Sequence, residues 1–206
     1  MKNSYGETKD DFVTWTRTGF NIESSKRPLS FQLDQQIRLN QNSQVFQGLQ
    51  TRFFGHYKQE NNIYSLIYIL TNQRENNINN VFAFQFLNKT NIFKDLVWES
   101  RFRLEKRYET RAKNGNTEES WRTRFRGGLE YKIIKNLKLV LNNELFILQD
   151  KGFSENRLQS GFNIKLLDNL SLDLFYQKRY LTGFLNPNTL EHTIFTNLSY
   201  TIVLDS

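Results

Sequence analysis

The sequence predicts an all-β protein, an antiparallel up-and-down transmembrane β-barrel of twelve strands, with ten as the alternative count. Three observations predict this class. Apolar and polar residues alternate from about residue 12 to the C-terminus, with no competing helical period. Most alternating segments reach the ~9–11 residues that a tilted strand needs to cross a bilayer. Short turns also alternate with longer polar connections, as in outer-membrane barrels.

Eleven segments have the period-two alternation of a strand with one apolar face. In the segment ESWRTRFRGGLEYKI, Trp121 and Phe125 lie on one face, whereas Arg122 and Arg124 lie on the other. The segments are 12–22, 28–40, 44–58, 63–71, 79–88, 95–109, 119–133, 137–148, 155–166, 170–181 and 190–204. Bacterial single-chain barrels have an even strand count. We therefore expect either one extra N-terminal strand or an error among the early segments.

The chain is predicted to be one domain over residues 1–206, with residues 1–10 disordered or forming a short first strand. No linker or shift in composition divides it. The 18 Phe, 9 Tyr and 3 Trp are typical of a barrel whose aromatic residues form girdles at the membrane interfaces. The most apolar stretch, IYSLIYIL, is much shorter than the ~20 residues of a transmembrane helix. The first ten residues lack the apolar segment of a signal peptide.

The polar faces of the predicted strands are charged in mid-strand. On the inner wall of a barrel, such side chains can pair across neighbouring strands. We therefore predict a charged network that lines the lumen. Its members are Arg38, Glu99, Arg101, Arg103, Glu105, Arg122, Arg124, Arg126, Glu130, Glu144 and Arg157.

Two functions are compatible with this interior. If the arginines pair with these glutamates and with Asp34 and Asp173, the network fills and stiffens the barrel. The protein is then a structural or accessory envelope component, or a subunit of a larger outer-membrane complex. If surplus positive charge remains, as the net charge of +7 allows, the barrel is a narrow anion-preferring passive channel. The similar numbers of acids and bases on these faces favour the filled interior.

Three polar residues, Lys106, Lys178 and His192, fall on the apolar face near the predicted extracellular end. We expect them to contact lipid head groups, with the phosphates of lipopolysaccharide as partners, or to snorkel without a specific partner. Other outer-membrane proteins are a further expected class of partner.

Enzyme function is the third alternative, as a lipid-modifying hydrolase with His192 and Ser160 on the outer face. No GxSxG elbow supports it, and we predict no catalytic residues. We also predict no metal site and no cofactor, because the chain has no Cys, no paired His and no calcium-loop spacing. Nucleic acid is not expected as a partner, because the aromatics and arginines of WRTRFR lie on opposite faces.

Several stretches resemble a known family of bacterial outer-membrane barrels, the domain of unknown function 2490. These stretches are FQLDQQIRL, WESRFRLEKR, WRTRFRGGLEYKI, NNELFILQDKGFSENRLQSGFNIKL and LDLFYQKRYL followed by EHTIFTNLSYTI. The shared features are Arg-x-Arg pairs, a Glu-x-Phe segment, an Asn-Arg pair and a His that opens the last strand. Here they are Arg101 with Arg103, Arg122 with Arg124, Glu144 with Phe146, Asn156 with Arg157, and His192. The resemblance extends over nearly the whole chain and implies the outer membrane of a Gram-negative bacterium, but no activity.

Overall fold

The computed structural model describes residues 11–40, 45–73, 77–111, 115–150, 152–181 and 189–204. Eleven β-strands account for most of them. The strands are β1 (Asp11–Ser24), β2 (Leu29–Asn40), β3 (Val45–Gln59), β4 (Asn62–Gln73), β5 (Ile78–Phe93), β6 (Leu96–Thr110), β7 (Thr117–Ile134), β8 (Leu137–Leu148), β9 (Gly152–Leu167), β10 (Leu170–Leu181) and β11 (Thr189–Leu204). Within these ranges, no helix is long and apolar enough to span a membrane.

The strands form one closed barrel in which sequence neighbours pair antiparallel. The predicted all-β, up-and-down barrel is therefore confirmed. The predicted count of twelve is wrong, however, since each of the eleven alternating segments corresponds to one strand. The expectation for residues 1–10 lies outside the described residues.

The difference in strand count follows from how the barrel closes. An even count was expected because it allows the first and last strands to pair antiparallel. Here β1 and β11 run in the same direction and pair in parallel over the whole of β1, from Asp11 opposite Glu191 to Ser24 opposite Leu204. A parallel ladder has evenly spaced, slanted hydrogen bonds and pairs both edges, so the seam needs no further strand.

The two ends of the barrel differ, as the sequence predicts. At one end, which we call the turn end, four connections have two residues and one, 25–28, has four. At the opposite end, which we call the loop end, the connections contain three to seven residues. This asymmetry is typical of outer-membrane barrels, in which the short turns face the periplasm.

The two faces of the wall are inverted relative to a protein that folds in water. Large apolar side chains point outward, and Leu66 and Phe31 are 71% and 61% exposed. Charged and amide side chains point inward, and both Asp34 and Glu105 are 0% exposed. Buried charges are rare in soluble domains, whose apolar residues occupy the interior. The pattern is that of a barrel with an apolar exterior and a polar lumen.

Replacing Gly161 by Ala is expected to lower the free energy of unfolding by about 1–3 kcal/mol through overpacking. An added Cβ would lie 2.0 Å from the Leu174 carbonyl oxygen and 2.5 Å from the Phe175 ring. Urea unfolding in detergent micelles measures the change. Gly55→Ala is the control, because its Cβ would meet nothing closer than 3.9 Å. Equal stability of the two variants would contradict the packing argument.

Candidate functional site

The inner faces of β6 and β7 form an arginine-rich wall. Residues two apart on a strand point to the same side, so Arg101 and Arg103 project into the lumen together. Across the strand pair, Arg101 lies opposite Arg126, and Arg103 opposite Arg124. Like charges placed directly opposite one another are destabilising. Acidic partners on the same wall must therefore offset the repulsion.

Glu105 provides the largest part of that compensation. Its carboxylate is fully buried and lies 2.5 Å from Arg122 Nη2 and 2.9 Å from Arg124 Nη1. Arg103 Nη1 is 3.6 Å away. Arg103 also donates from Nε to Oε1 of Gln85 at 3.0 Å. Three guanidinium groups thus share one carboxylate, and one of them, that of Arg103, also binds an amide oxygen.

Glu144 of β8 extends the network along the wall. Arg124 donates to both of its carboxylate oxygens, from Nε at 2.9 Å and from Nη2 at 3.0 Å. Arg101 Nη2 donates to the same carboxylate at 2.5 Å. Arg124 therefore bridges Glu105 and Glu144, and such bidentate, charge-assisted hydrogen bonds are among the stronger ones in proteins.

Towards the turn end, the network continues through lysines. Glu99 forms ion pairs with Arg126 and with Lys89, whose Nζ lies 3.2 Å away. Lys89 Nζ also donates to Glu130 at 2.8 Å, and Lys138 Nζ lies 3.6 Å from that carboxylate. The predicted arginine partner of Glu130 is therefore wrong, because lysines from β5 and β8 occupy its two oxygens.

Two further acid–base clusters complete the interior. Asp34 lies 3.0 Å from Arg52 and 3.5 Å from Arg17. Glu155 forms ion pairs with both Arg157 and Arg179. Sequence reasoning did not identify Arg17, Arg52, Glu155, Arg179 or Glu191 as network members. Glu155 and Arg157 are two residues apart in the ninth segment, so the sequence could have placed both on the inner face. The pairing of Glu155 with Arg179 on the next strand could not be seen in the sequence.

The structure places the predicted residues on the inner wall, but it does not pair all of them with acids. Arg38 donates only to Gln50 Oε1, at 3.3 Å. In the part of the chain that the structure describes, no carboxylate lies within ion-pair distance of Arg38 or Arg107. The predicted acid partner of Arg38 is therefore wrong. Asp173, another predicted partner, instead accepts hydrogen bonds from Asn163 and Asn197 at 2.5 and 2.7 Å.

Aromatic rings also lie within the charged interior. Phe146 is 0% exposed, and the guanidinium carbons of Arg157 and Arg124 lie 4.3 and 4.4 Å from its ring centroid. Trp15 lies 4.6 Å from Arg38 and 5.5 Å from Arg157. A cation over an aromatic face is attracted to it, more strongly where water is excluded. The rings of Phe146 and Trp15 therefore help to position arginines that share a carboxylate with another arginine, as Arg124 and Arg157 do, or that have none within ion-pair distance among the described residues, as for Arg38.

A patch of the inner wall is apolar rather than charged. Ile67 and Ile69 of β4 pack with Val81 and Ala83 of β5, and Phe54 of β3 packs against them. The sequence carried a signal for this patch, because the segment with IYSLIYIL alternates least clearly of the eleven and has Ile63, Ile67 and Ile69 at inward positions. The lumen is thus amphipathic, with an apolar patch beside the arginine wall.

A cavity of about 1000 Å³ runs inside the wall. Its lining includes Lys58 and Lys138 near the turn end and Gln73 and Arg107 near the loop end. Fifteen lysines and arginines line it, against five acidic residues. The charged side chains therefore lie along the wall around a central cavity.

The three residues predicted to contact lipid lie on the outer face near the loop end. Lys106 Nζ is 3.1 Å from Glu119 and 5.7 Å from the Trp121 ring. Lys178 lies opposite His192 in the ladder, 5.3 Å from the Tyr180 ring. Basic groups beside aromatic rings at one rim of the barrel suit a membrane interface.

The hydrolase alternative finds no geometric support on this face. Ser160 lies opposite Tyr176 on the next strand, and it is the Tyr176 hydroxyl that hydrogen-bonds His192 Nδ1. Tyr176 thus lies between the two residues that a Ser-His pair would need to bring into contact. In the described ranges, no group of three or more His, Asp or Glu side chains could hold a metal ion.

Comparisons with known proteins identify a family and several similar solved structures. A family model described as "Protein of unknown function (DUF2490)" matches residues 12–189. No curated protein matches the chain. A solved structure described as "NanC porin structure in rhombohedral crystal form" is 12% identical, and the similarity covers 80% of this chain and 86% of that one, with a TM-score of 0.45.

Proposed function

The chain belongs to the DUF2490 family, and from the geometry of its interior we propose that it forms a narrow, anion-preferring passage through the outer membrane of a Gram-negative bacterium. The observation that carries this proposal is the excess of basic side chains around the cavity. Fifteen lysines and arginines line it with five acids, and four further acids, Asp34, Glu105, Glu155 and Glu191, pair with arginines of that lining. Surplus positive charge in a low-dielectric wall lowers the energy of an anion in the lumen and raises that of a cation.

The exterior supports a membrane environment. The strands contain 12 to 18 residues, more than the ~9–11 that a tilted strand needs to cross a bilayer. Every strand exposes one or more large apolar side chains on its outer face. Water would make such an exterior unfavourable, by roughly 25 cal/mol per Å² of apolar surface, whereas acyl chains match it.

The open cavity favours a passage over a purely structural barrel. A structural or accessory role, or membership of a larger envelope complex, was expected from an interior filled by ion pairs. Here the pairs of Glu105 and Glu144 hold their arginines along the wall, whereas Arg38 and Arg107 form no ion pair with a carboxylate of the described residues. Those two arginines are the candidate filter.

We also propose that the outer rim at the loop end contacts lipid head groups. Lys106, Lys178 and His192 lie there among Trp121, Tyr176 and Tyr180. The phosphates of lipopolysaccharide are anionic groups at the matching depth. This contact would hold the barrel at a defined height in the membrane.

Exchanging both filter arginines, as Arg38→Glu with Arg107→Glu, is expected to lower the anion-to-cation permeability ratio at least ~10-fold. The change places four units of negative charge in the lumen relative to the wild type, and neither arginine has an acid partner whose loss would unfold the wall. The reversal potential across a planar bilayer in a potassium chloride gradient measures the ratio.

The control is Lys106→Glu with Arg111→Glu, which makes the same formal change outside the cavity. This pair is expected to leave the reversal potential nearly unchanged. If the wild-type barrel conducts no more than a protein-free bilayer, the proposed passage is wrong. If both double variants shift the potential equally, the two arginines are not the filter.

A further inference from the structure

We infer that the lumen contains a binding site for an organic oxyanion, a carboxylate or phosphate carried on a body with an apolar face. The site is the row formed by Arg38, Trp15, Phe195 and Phe175, together with Gln36. The inference rests on the proposed function, because its ligand must enter the lumen. It adds to that function the chemical class of the solute and the side chains that recognise it.

The register of four strands creates the row. Arg38 of β2 lies opposite Trp15 of β1, Trp15 opposite Phe195 of β11, and Phe195 opposite Phe175 of β10. All four side chains line the cavity. The two phenylalanine rings are stacked, with centroids 6.1 Å apart. A guanidinium group therefore stands at one end of three consecutive aromatic rings.

Buried hydrogen-bond donors without acceptors lie at the cationic end of this row. Trp15 Nε1, Gln36 Nε2 and Arg38 Nε have no hydrogen-bond partner among the described residues. Gln36 is 2% exposed and Trp15 is 7% exposed. Buried polar groups in native proteins nearly always have a partner. Three neighbouring donors on β1 and β2 thus lack an acceptor among the described residues, and a ligand in the lumen can supply one.

The charges around Arg38 favour an anion as that acceptor. The charged groups that act most strongly on it include Arg157, Arg179 and Arg122, with Glu191 as the acid among them. Arg157 approaches the same Trp15 ring, at 5.5 Å. A negative ligand placed there would offset the mutual repulsion of these guanidinium groups.

The donor set and the rings together define the class of ligand. A guanidinium fork, an indole N–H and an amide N–H match the several oxygens of a carboxylate or phosphate. A monatomic anion offers these donors one atom, whereas an oxyanion offers two or more oxygens. Phe195 is buried and has Arg17 over its ring, 4.8 Å from the centroid. The partly buried ring of Phe175, stacked on Phe195, therefore offers the apolar surface that an aromatic or CH-rich body would cover.

Trp15 itself provides the assay, since the chain has 3 Trp and the other two, Trp98 and Trp121, point outward. The full chain with Trp98→Phe and Trp121→Phe is refolded into detergent micelles and titrated at constant ionic strength. The probes are sodium benzoate, acetate, phosphate and chloride. We expect a saturable change of Trp15 emission with benzoate, a weaker affinity for acetate and phosphate, and no saturable change with chloride.

Substitutions in this background separate the two halves of the site. Arg38→Gln is expected to weaken benzoate, acetate and phosphate alike by at least ~10-fold. Gln36→Met, which keeps the side-chain volume, is expected to act in the same direction. Phe175→Leu is expected to weaken benzoate but not acetate. Heat-shift gels select the variants that remain folded.

Arg107→Gln is the matched control, because it removes the same charge from the lumen but leaves the donors and rings in place. If Arg107→Gln and Arg38→Gln lower the affinity for benzoate equally, the proposed site is wrong, and the overall charge of the lumen accounts for the binding. The absence of any saturable emission change would also overturn the site. This result would leave the proposed passage untouched, because the passage is tested by the current across a bilayer and not by Trp15 emission.

Discussion

Glu105→Gln is expected to lower the free energy of unfolding by about 3–5 kcal/mol, because it leaves buried guanidinium groups without their shared carboxylate. Glu105 is fully buried and contacts Arg122, Arg124 and Arg103. A glutamine offers one acceptor oxygen and no charge. The repulsion between Arg103 and Arg124, which are direct neighbours in the ladder, would then be only partly offset. Urea titration in micelles, followed by tryptophan emission, measures the change.

Glu119→Gln is the matched control for this prediction. Glu119 has the same chemistry and forms one ion pair with Lys106 at 3.1 Å, but its side chain is 58% exposed at the outer rim. An exposed ion pair contributes ~0–1 kcal/mol, so the loss should be small. If the two variants unfold at the same urea concentration, the buried network does not stabilise the wall.

Phe125→Arg is expected to oppose insertion into a bilayer by about 2–4 kcal/mol, the cost of an arginine at the midplane of a lipid-facing strand. Phe125 lies on the outer face near the middle of β7, opposite Phe102 of β6 and Leu145 of β8. Folding into lipid vesicles, followed by the fraction of heat-shifted protein on a gel, measures the effect.

In a bilayer, the cost of an outward-facing arginine depends on its depth, and this dependence distinguishes a barrel in a membrane from one in water. Phe93→Arg makes the same change at the last residue of β5, beside the turn end, where the expected cost is ~0–1 kcal/mol. If the barrel instead folds in water, both arginines would be solvated on an exposed surface, and Phe125→Arg would be neutral. Equal folding yields of Phe125→Arg and Phe93→Arg would therefore contradict the membrane proposal.

Much of the fold could be predicted because the information is local. Alternation with a period of two identifies a strand and both its faces from the residues themselves. It separated Trp121 and Phe125 from Arg122 and Arg124, and it located all eleven strands. The two-residue turn Asp168–Asn169 lies between the predicted segments 155–166 and 170–181, whereas β5 continues to Phe93, beyond the predicted end at residue 88.

The candidate site was predictable in composition but not in its contacts. Inward positions of Arg38, Glu99 and Glu144 follow from alternation. The surplus of base over acid in the cavity does not, because it depends on residues such as Arg17, Arg52 and Arg179 that belong to distant strands. The sequence shows Trp15 and Phe146 only as apolar residues at inward positions. Their contacts with arginines, such as Arg38 over Trp15 and Arg157 over Phe146, arise because other strands bring those guanidinium groups close.

Alternation along the chain thus determines which segments form strands and which residues share the apolar or the charged face of each strand, since a residue's face follows from its position along the strand. Tertiary structure alone decides the parallel closure of β1 on β11, the sharing of Glu105 among three arginines, and the row from Arg38 to Phe175. The physical reason is register. A shift of one residue between paired strands moves every side chain to the opposite face, and a shift of two changes every partner while keeping each face. Faces are therefore a local property of the sequence, whereas partners depend on strands far apart in the chain.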